Sequence, residues 1–343
     1  MTLASVSVVV VTWNGLGLTE RCLDSLAAQE TRGRAVEVVV VDNGSTDGTV
    51  EALRRRAGVR VVALDRNTGF AGGVDAGIEA TTGDVVVLLN NDATAEPGFL
   101  DRIAAPFDRP GVGGARLGAV TGRVLLRGRF RPAAPGEAGL VDHAGRAWVR
   151  TAGADGRRLL NSTGNEVTRS GNGRDRGWLA DAGEPAPPAR VFGFNGGCAA
   201  LLRAAVQDVG PLDASLFMYY EDTEMSWRLR RRGWEVAYVH DAVTEHDHAG
   251  SSGAGSAFFQ DHNERNRLVV ALVHAPVAVV ARAAARSVAR AVLGPDRRRR
   301  ARVLGRVLAA APAALRRRRA VDRAATVPRA AVAALLVPDG AVR

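Results

Sequence analysis

Lysine is absent from the 343 residues, so all 46 basic side chains are arginine. The Gly-rich, lysine-containing signature that a nucleotidyltransferase carries after its first strand is therefore missing. The loss of every lysine reads as codon bias, because selection for phosphate binding would not strip an ordinary surface of lysine. Cysteine is scarce as well. Cys22 and Cys198 lie far apart, with neither metal-like nor disulfide-like spacing, and read as buried thiols of a reducing cytoplasm. The opening MTLASVSVVVVTWNG lacks a basic stretch and a small-residue cleavage site, and reads as a first strand rather than an export signal. The longest uncharged stretch near the C-terminus, Leu268–Ala281, has 14 residues and contains His274 and Pro276. Spanning a bilayer takes about 20. Aromatic residues make up 5% of the chain and none interleave the C-terminal arginine blocks, so no nucleic-acid partner is expected.

What is present suits a globular chain: 46% of the residues are hydrophobic and 24% charged, enough for one large core or two modest ones. The charge is uneven. Residues 281–343 hold 16 Arg and 3 Asp, a balance of +13, whereas the whole chain carries +10, which leaves −3 on residues 1–280. The high isoelectric point therefore describes the C-terminal segment and not the body. Within that segment Arg282, Arg286 and Arg290 recur every four residues on an Ala/Val-rich background, followed by Arg297–Arg300 and Arg316–Arg319. This pattern predicts a pair of cationic amphipathic helices lying on an anionic membrane surface, with packing against the body as the alternative.

The first hundred residues alternate two kinds of segment. Val6–Thr12, Glu37–Asp42, Val59–Leu64 and Asp84–Asn90 are short, β-branched and almost continuously apolar, as strands covered on both faces are. Between them Leu18–Gln29, Gly48–Arg56 and Ala71–Ala80 read as helices, and another helix should follow Pro97. This order predicts a doubly wound α/β sheet whose ligands gather at the carboxyl ends of the strands. Residues 111–190, rich in Gly, Arg and Ala, read as a loop-rich segment with a few strands that covers one side of the site. A helix is expected over Tyr219–Arg232, and from Phe258 the chain reads as helical to its end.

Polar residues follow each strand. Thr12 and Asn14 stand in TWNG, and Asp42, Asn43, Gly44 and Ser45 in VDNGSTDGT. Such short side chains at a strand-to-helix turn can hydrogen-bond a base and ribose, or simply cap the next helix. Gly15 and Gly17 begin a dinucleotide fingerprint, but Glu20 occupies its third glycine position, so NAD is not expected. Asn67, Gly69, Gly72 and Gly73 permit close backbone approach ahead of a helix N-terminus that could face a phosphate or ribose. In LLNND, Asn91 and Asp92 offer an amide oxygen and a carboxylate, which suit a hard divalent cation also held by a diphosphate. Asp222, beside Glu221, could complement a helix dipole or act as a general base. Glu224 and Arg228 are spaced i,i+4 and read as a structural pair. His246 and His248, in VTEHDHAGSS, are candidate metal ligands.

Taken together, VTWNG, VDNGSTDGT, NTGFAGG, LLNND and YYEDTEMSWRLRRRGW resemble the family-2 glycosyltransferases with the GT-A fold, in their bacterial rhamnosyltransferase-like branch. Asn161–Trp178 and the HNERNR segment, His262–Arg267, are similar to that branch too. The resemblance covers about residues 5–270. It implies a Rossmann-like, mostly parallel sheet with flanking helices, followed by a helical tail. By this likeness Thr12, Asn14, Asp42, Ser45, Asn67, Gly72 and Asn91 would line a nucleotide-sugar site, with Asp42 on the base. Asp92 would end a variant DXD motif, His246 would be a second ligand for Mg2+ or Mn2+, and Asp222 would be the base of an inverting transfer. Arg265 could approach the diphosphate or acceptor. The family commonly has Asp at the position of Glu224 and Pro near His240. The expected layout is a GT-A domain over 1–270, divided into a nucleotide-sugar half (1–110) and an acceptor half (111–270), and an Arg-rich tail over 271–343. The resemblance further implies transfer to a glycan or lipid-linked acceptor in cell-envelope synthesis, at the inner face of the membrane. A non-catalytic sugar-nucleotide binder and a nucleotidyltransferase are the competing readings.

Overall fold

A computed structural model describes residues 5–31, 33–108, 116–247 and 256–340. Its first half alternates β1 (Ser5–Thr12), α1 (Leu16–Ala27), β2 (Ala35–Asp42), α2 (Thr49–Arg54), β3 (Val59–Ala63), α3 (Gly69–Glu79) and β4 (Val85–Asn90). These are the expected strands and helices, with ends moved by one or two residues. The four strands run parallel, Val8 opposite both Val38 and Val87; the valines of β1 and β4, Val11 excepted, are buried because helices cover both faces, and those of the edge strand β3 are half-buried. Gly73 and Gly77 let α3 lie close on the sheet: a Cβ would meet Val11 at 2.6 Å and Val9 at 2.3 Å.

Next come β5 (Ala93–Ala95), the helix expected after Pro97 as α4 (Phe99–Ala104), and β6 (Arg116–Leu126). The loop-rich segment carries more strand than the sequence implied. Beyond β6 it contains β7 (Arg129–Pro132), β8 (Leu140–Val141) and β9 (Ala147–Thr151) in a small separate sheet, then β10 (Leu160–Ser162) and the hairpin of β11 (Asn165–Val167) and β12 (Gly173–Asp175). Two glycines disguise β6, and both are required by packing. A Cβ at Gly118 would meet Trp234 at 2.9 Å, and one at Gly122 would meet Cys198 Sγ at 2.6 Å.

The main sheet is completed by β13 (Cys198–Leu202) and, after α5 (Arg203–Val209) and α6 (Glu221–Arg231), by β14 (Trp234–His246). Strand order is β3-β2-β1-β4-β13-β6-β14-β5, with β10 pairing on β6. Only β13 and β5 among these eight run antiparallel to their neighbours. The sheet is therefore mostly parallel with flanking helices, as expected. Cys22 and Cys198 are free and buried, and burial pushes both thiols up to about 12.

The C-terminal segment forms α7 (Ala257–His274), α8 (Val277–Leu293), α9 (Arg297–Ala324) and α10 (Arg329–Ala333). Helix α7 runs through the boundary expected at residue 270. Leu268, Val269, Val279, Ala283, Ala314, Val332 and Leu336 close a core with Trp227 of α6 and Phe192. The arginines divide accordingly. Arg286 reaches Ser170 Oγ at 2.6 Å, Arg299 pairs with Asp261 at 2.7 Å, and Arg318 donates to the Leu272 and Ala275 carbonyls, whereas Arg297, Arg298, Arg316 and Arg319 face outward. The alternative of packing against the body is thus realised, and the tail leaves a cationic outer face.

Candidate active site

The carboxyl edge of the sheet gathers the loops after β1, β2 and β4 with the end of β14 and the turn before β13. Asn14 adopts a positive φ of 49°; its N–H donates to Ser45 Oγ at 2.7 Å and its Oδ1 accepts from the Thr46 N–H at 2.8 Å. The first two loops are therefore clamped together. Asp42 is fully buried, and its Oδ1 accepts the Ser45 N–H at 2.8 Å. Its Oδ2 has no hydrogen-bond partner among the described residues, which suits an oxygen awaiting a donor from a ligand.

Other candidates are accounted for by the protein itself. Thr12 Oγ1 lies 2.8 Å from Thr19 Oγ1, and the Asn91 amide donates to both, at 3.2 and 3.3 Å. These groups lock the end of β4 to the end of β1. Asn67 Oδ1 accepts the Gly69 N–H at 2.8 Å, and a Cβ at Gly72 would strike Thr68 Oγ1 at 2.6 Å. The glycine at 72 is therefore explained by the turn, without a ligand.

Asp92 and His246 meet as a pair, with Nε2 2.8 Å from Oδ1, because β5 pairs with β14 in a register that sets His246 opposite Ala93. His246 Nδ1 lies 2.7 Å from Asn161 Oδ1 and so donates to it. Nε2 then faces the Asp92 carboxylate oxygen, with the Asn90 amide nitrogen 3.4 Å away. That donor set fits a divalent ion whose remaining positions are filled from a diphosphate. Among the described residues no group of three or more His, Cys, Asp or Glu side chains forms a closed cage. His248 lies outside the described residues.

The base candidate sits on an unusual backbone. Phe217, Tyr219 and Tyr220 all have positive φ, at 62°, 71° and 73°, so the helix begins at Glu221 and not at Tyr219 as the sequence suggested. Three such residues store strain of about 1–3 kcal/mol each, tolerated only where neighbours over-determine the geometry. The neighbour is Asn266 of α7, whose amide donates to the carbonyls of Leu216, Met218 and Tyr219 at 2.8–2.9 Å. Arg265 donates to the Ser215 carbonyl and to Asn266 Oδ1, so it braces this loop and does not point at a diphosphate. Asp222, in the first turn of α6, accepts the Gly196 N–H on Oδ2 at 3.0 Å and the Thr223 N–H on Oδ1. Burial pushes the Asp222 carboxyl up from its ordinary value. Glu221 is more deeply buried, at 6% exposure; burial and the adjacent Asp222 push it up to about 8.

Asn161, Asp175 and Asn195 also belong to this constellation, and sequence reasoning assigned none of them a role. Asn161 and Asp175 had a signal only in the segment resembling the family, Asn161–Trp178, and Asn195 had none. Glu224 and Arg228 do form the expected pair, at 2.8 Å, and Glu224 also meets His274 Nε2 at 2.9 Å.

Such a fold and edge define a nucleotide-sugar-dependent class of transferase, and the comparisons agree. Residues 7–133 match the family described as "Glycosyl transferase family 2", and residues 184–271 match "Glycosyltransferase like family 2". The N-acetylglucosaminyl-diphospho-decaprenol L-rhamnosyltransferase of Mycobacterium tuberculosis is 30% identical over 266 residues, covering 73% of this chain and 78% of that one. The undecaprenyl-phosphate 4-deoxy-4-formamido-L-arabinose transferase of Edwardsiella ictaluri is 36% identical over 114 residues, 32% of this chain and 35% of that one. The crystal structure of GalNAc-T7 with UDP, GalNAc and Mn2+ shares the fold, with a TM-score of 0.58 and 18% identity over 80% of this chain and 49% of that one. The chain belongs to the family-2 glycosyltransferases and has the GT-A fold. Within that family it falls in the rhamnosyltransferase-like branch.

Proposed function

We propose that this glycosyltransferase moves a sugar, rhamnose from dTDP-rhamnose in the first instance, onto a hydroxyl of a lipid-linked or polysaccharide acceptor with inversion at the anomeric carbon. One observation carries the reading: the Asp222 carboxylate is fixed at the same sheet edge as Asp42 and the Asp92–His246 pair. Asp42 Oδ2 would accept an N–H of the base. Asp92 and His246 would hold Mg2+ or Mn2+, which supplies charge to neutralise the departing diphosphate. Asp222 would take the proton of the attacking hydroxyl. One base and a single in-line displacement produce inversion. The mycobacterial relative, named as transferring L-rhamnose to a diphospho-decaprenol-linked N-acetylglucosamine, supports donor and acceptor class.

Asp92→Ala is expected to abolish metal-dependent donor binding with the fold intact. Titrating dTDP by calorimetry with and without Mn2+ checks this: the tightening that Mn2+ produces in the wild type should vanish in the variant. Equal tightening in both proteins would remove Asp92 from the metal site.

The reading also places the enzyme on the cytoplasmic face of the cell membrane, held there peripherally. No helix among the described residues is long and apolar enough to cross a bilayer. What supports surface attachment is the outer face of the tail. Val292, Leu293 and Leu308 are exposed there, Leu293 at 78%, beside Arg297, Arg298 and Arg302. Removing residues 281–343 would uncover Trp227 and Leu268, so charge reversal is the cleaner test. Each arginine near an anionic surface contributes about 1 kcal/mol. The triple change Arg297→Glu, Arg298→Glu, Arg302→Glu should weaken sedimentation with phosphatidylglycerol vesicles at least ~100-fold, with turnover on a soluble acceptor unchanged. Undiminished sedimentation would show that this face is not the anchor.

A further inference from the structure

Asp175, on β12, is a third carboxylate of the site that the reaction as described does not use. Its Oδ1 accepts from Asn195 Nδ2 at 2.8 Å. Asn195 opens the Asn195–Gly196–Gly197 turn that leads into β13, and its Oδ1 accepts the Gly197 N–H at 2.9 Å. The middle residue of that turn donates its N–H to Asp222 Oδ2 at 3.0 Å. The last one accepts the Asn90 N–H on its carbonyl at 3.0 Å, and the Asn90 amide lies 3.4 Å from His246 Nε2. A single turn thus touches Asp222 on one side and, on the other, Asn90, whose amide in turn lies near His246. Close neighbours favour glycine at both positions: a Cβ at Gly197 would meet the Asn90 amide at 2.8 Å, and one at Gly196 would meet Phe70 at 3.2 Å. A second tie leads the same way. Asp175 stands opposite Asn165 in the β11–β12 hairpin, and Asn165 donates to Thr223 Oγ1 at 3.3 Å, one residue beyond the base.

We propose that Asp175 is a positioning residue for the transfer, clamping the Asn195–Gly197 turn so that the Gly196 N–H holds the Asp222 carboxylate in line with the acceptor hydroxyl. A glycine-rich turn has little stiffness of its own, and the hydrogen bond that Asn195 donates to Asp175 supplies it. The residue acts by accepting a hydrogen bond. An amide oxygen at the same place performs the task, whereas a methyl group does not. The proposal rests on Asp222 being the base.

The test is turnover under saturating donor and acceptor together with dTDP affinity in Mn2+, for Asp175→Ala, Asp175→Asn, Asn195→Ala and Asp222→Asn. Asp175→Ala and Asn195→Ala should each lower kcat ~10–100-fold, the scale for slight misplacement of a reacting group, with dTDP affinity unchanged. Asp175→Asn should restore most of the turnover. The inference is overturned if Asp175→Ala and Asn195→Ala keep wild-type kcat while Asp222→Asn is inactive. It is also overturned if Asp175→Asn is as impaired as Asp175→Ala, since the charge itself would then be required, or if dTDP affinity falls with kcat, which would make Asp175 a donor-site residue. An active Asp222→Asn would instead overturn the assignment of the base. Should Asp175→Ala fail to fold, Asn195→Ala removes the same clamp from the other side, and Asp175→Asn still separates hydrogen bond from charge.

Discussion

Asp222→Asn should lower turnover at saturating donor and acceptor by ~10²–10⁴-fold, the usual loss on removing a general base, and leave donor affinity near wild type. The amide keeps the carboxylate's shape and, with its oxygen toward Gly196, the bond from that N–H; it gives up the bond from the Thr223 N–H and the ability to accept a proton. The sign of the pH dependence follows from burial, which raises the Asp222 carboxyl. A base works when deprotonated, so activity should fall as pH drops through that raised value, above the ordinary carboxylate range. Glu221 is the adjacent competitor, but a helix turns by about 100° per residue, so the two cannot address the same hydroxyl. Glu221 is also the more deeply buried of the two, at 6% exposure. Glu221→Gln should therefore remain active. An active Asp222→Asn beside an inactive Glu221→Gln would move the base by one residue, and two active variants would remove this helix from the chemistry.

Glu224→Ala should destabilise the fold by about 3–5 kcal/mol, the range for breaking a buried ion pair from one side. Glu224 is 2% exposed, and both its oxygens are taken, by Arg228 at 2.8 Å and His274 Nε2 at 2.9 Å. Arg317 of α9 lies 3.6 Å away and also pairs with Asp213. Burial alone would raise the Glu224 carboxyl, but Arg228 and His274 outweigh it and hold it well below the ordinary range. A carboxyl depressed in the folded state stabilises above its unfolded value and loses that contribution as pH falls toward the folded one. The wild type should therefore lose stability in acid more steeply than the variant. Urea melts at neutral pH and near pH 4 check both statements; equal midpoints for the two proteins would show that the network contributes nothing.

The parallel half of the sheet was legible because doubly covered strands must be valine runs, and Val6–Thr12, Glu37–Asp42 and Asp84–Asn90 have no other use for such runs. Asp42 and Asp92 stood out as candidates for the same reason, since Asp42 ends β2 and Asp92 stands two residues beyond β4. β6 was hidden by Gly118 and Gly122, whose cause is contact with Trp234 and Cys198, far along the chain. The start of α6 was misplaced because Tyr219 and Tyr220 take a left-handed backbone that no local signal favours and that Asn266 imposes from α7. The Asp175–Asn195 contact joins two loops by a pairing that no spacing encodes. In the tail, the four-residue recurrence of arginine showed a helix. Which arginines face Asp261 or the Ala275 carbonyl depends on how α9 lies across α7.

A direct displacement at the anomeric carbon inverts it, and the configuration of the new linkage reports on that most directly. The purified chain would be incubated with dTDP-rhamnose, Mn2+ and a short-chain lipid-linked N-acetylglucosamine, and the product's anomeric coupling read by NMR. The expected result is a rhamnosyl product of configuration opposite to the donor, formed with one equivalent of dTDP and absent from Asp222→Asn. A product with the donor's configuration retained, or release of dTDP as hydrolysis without transfer, would contradict it.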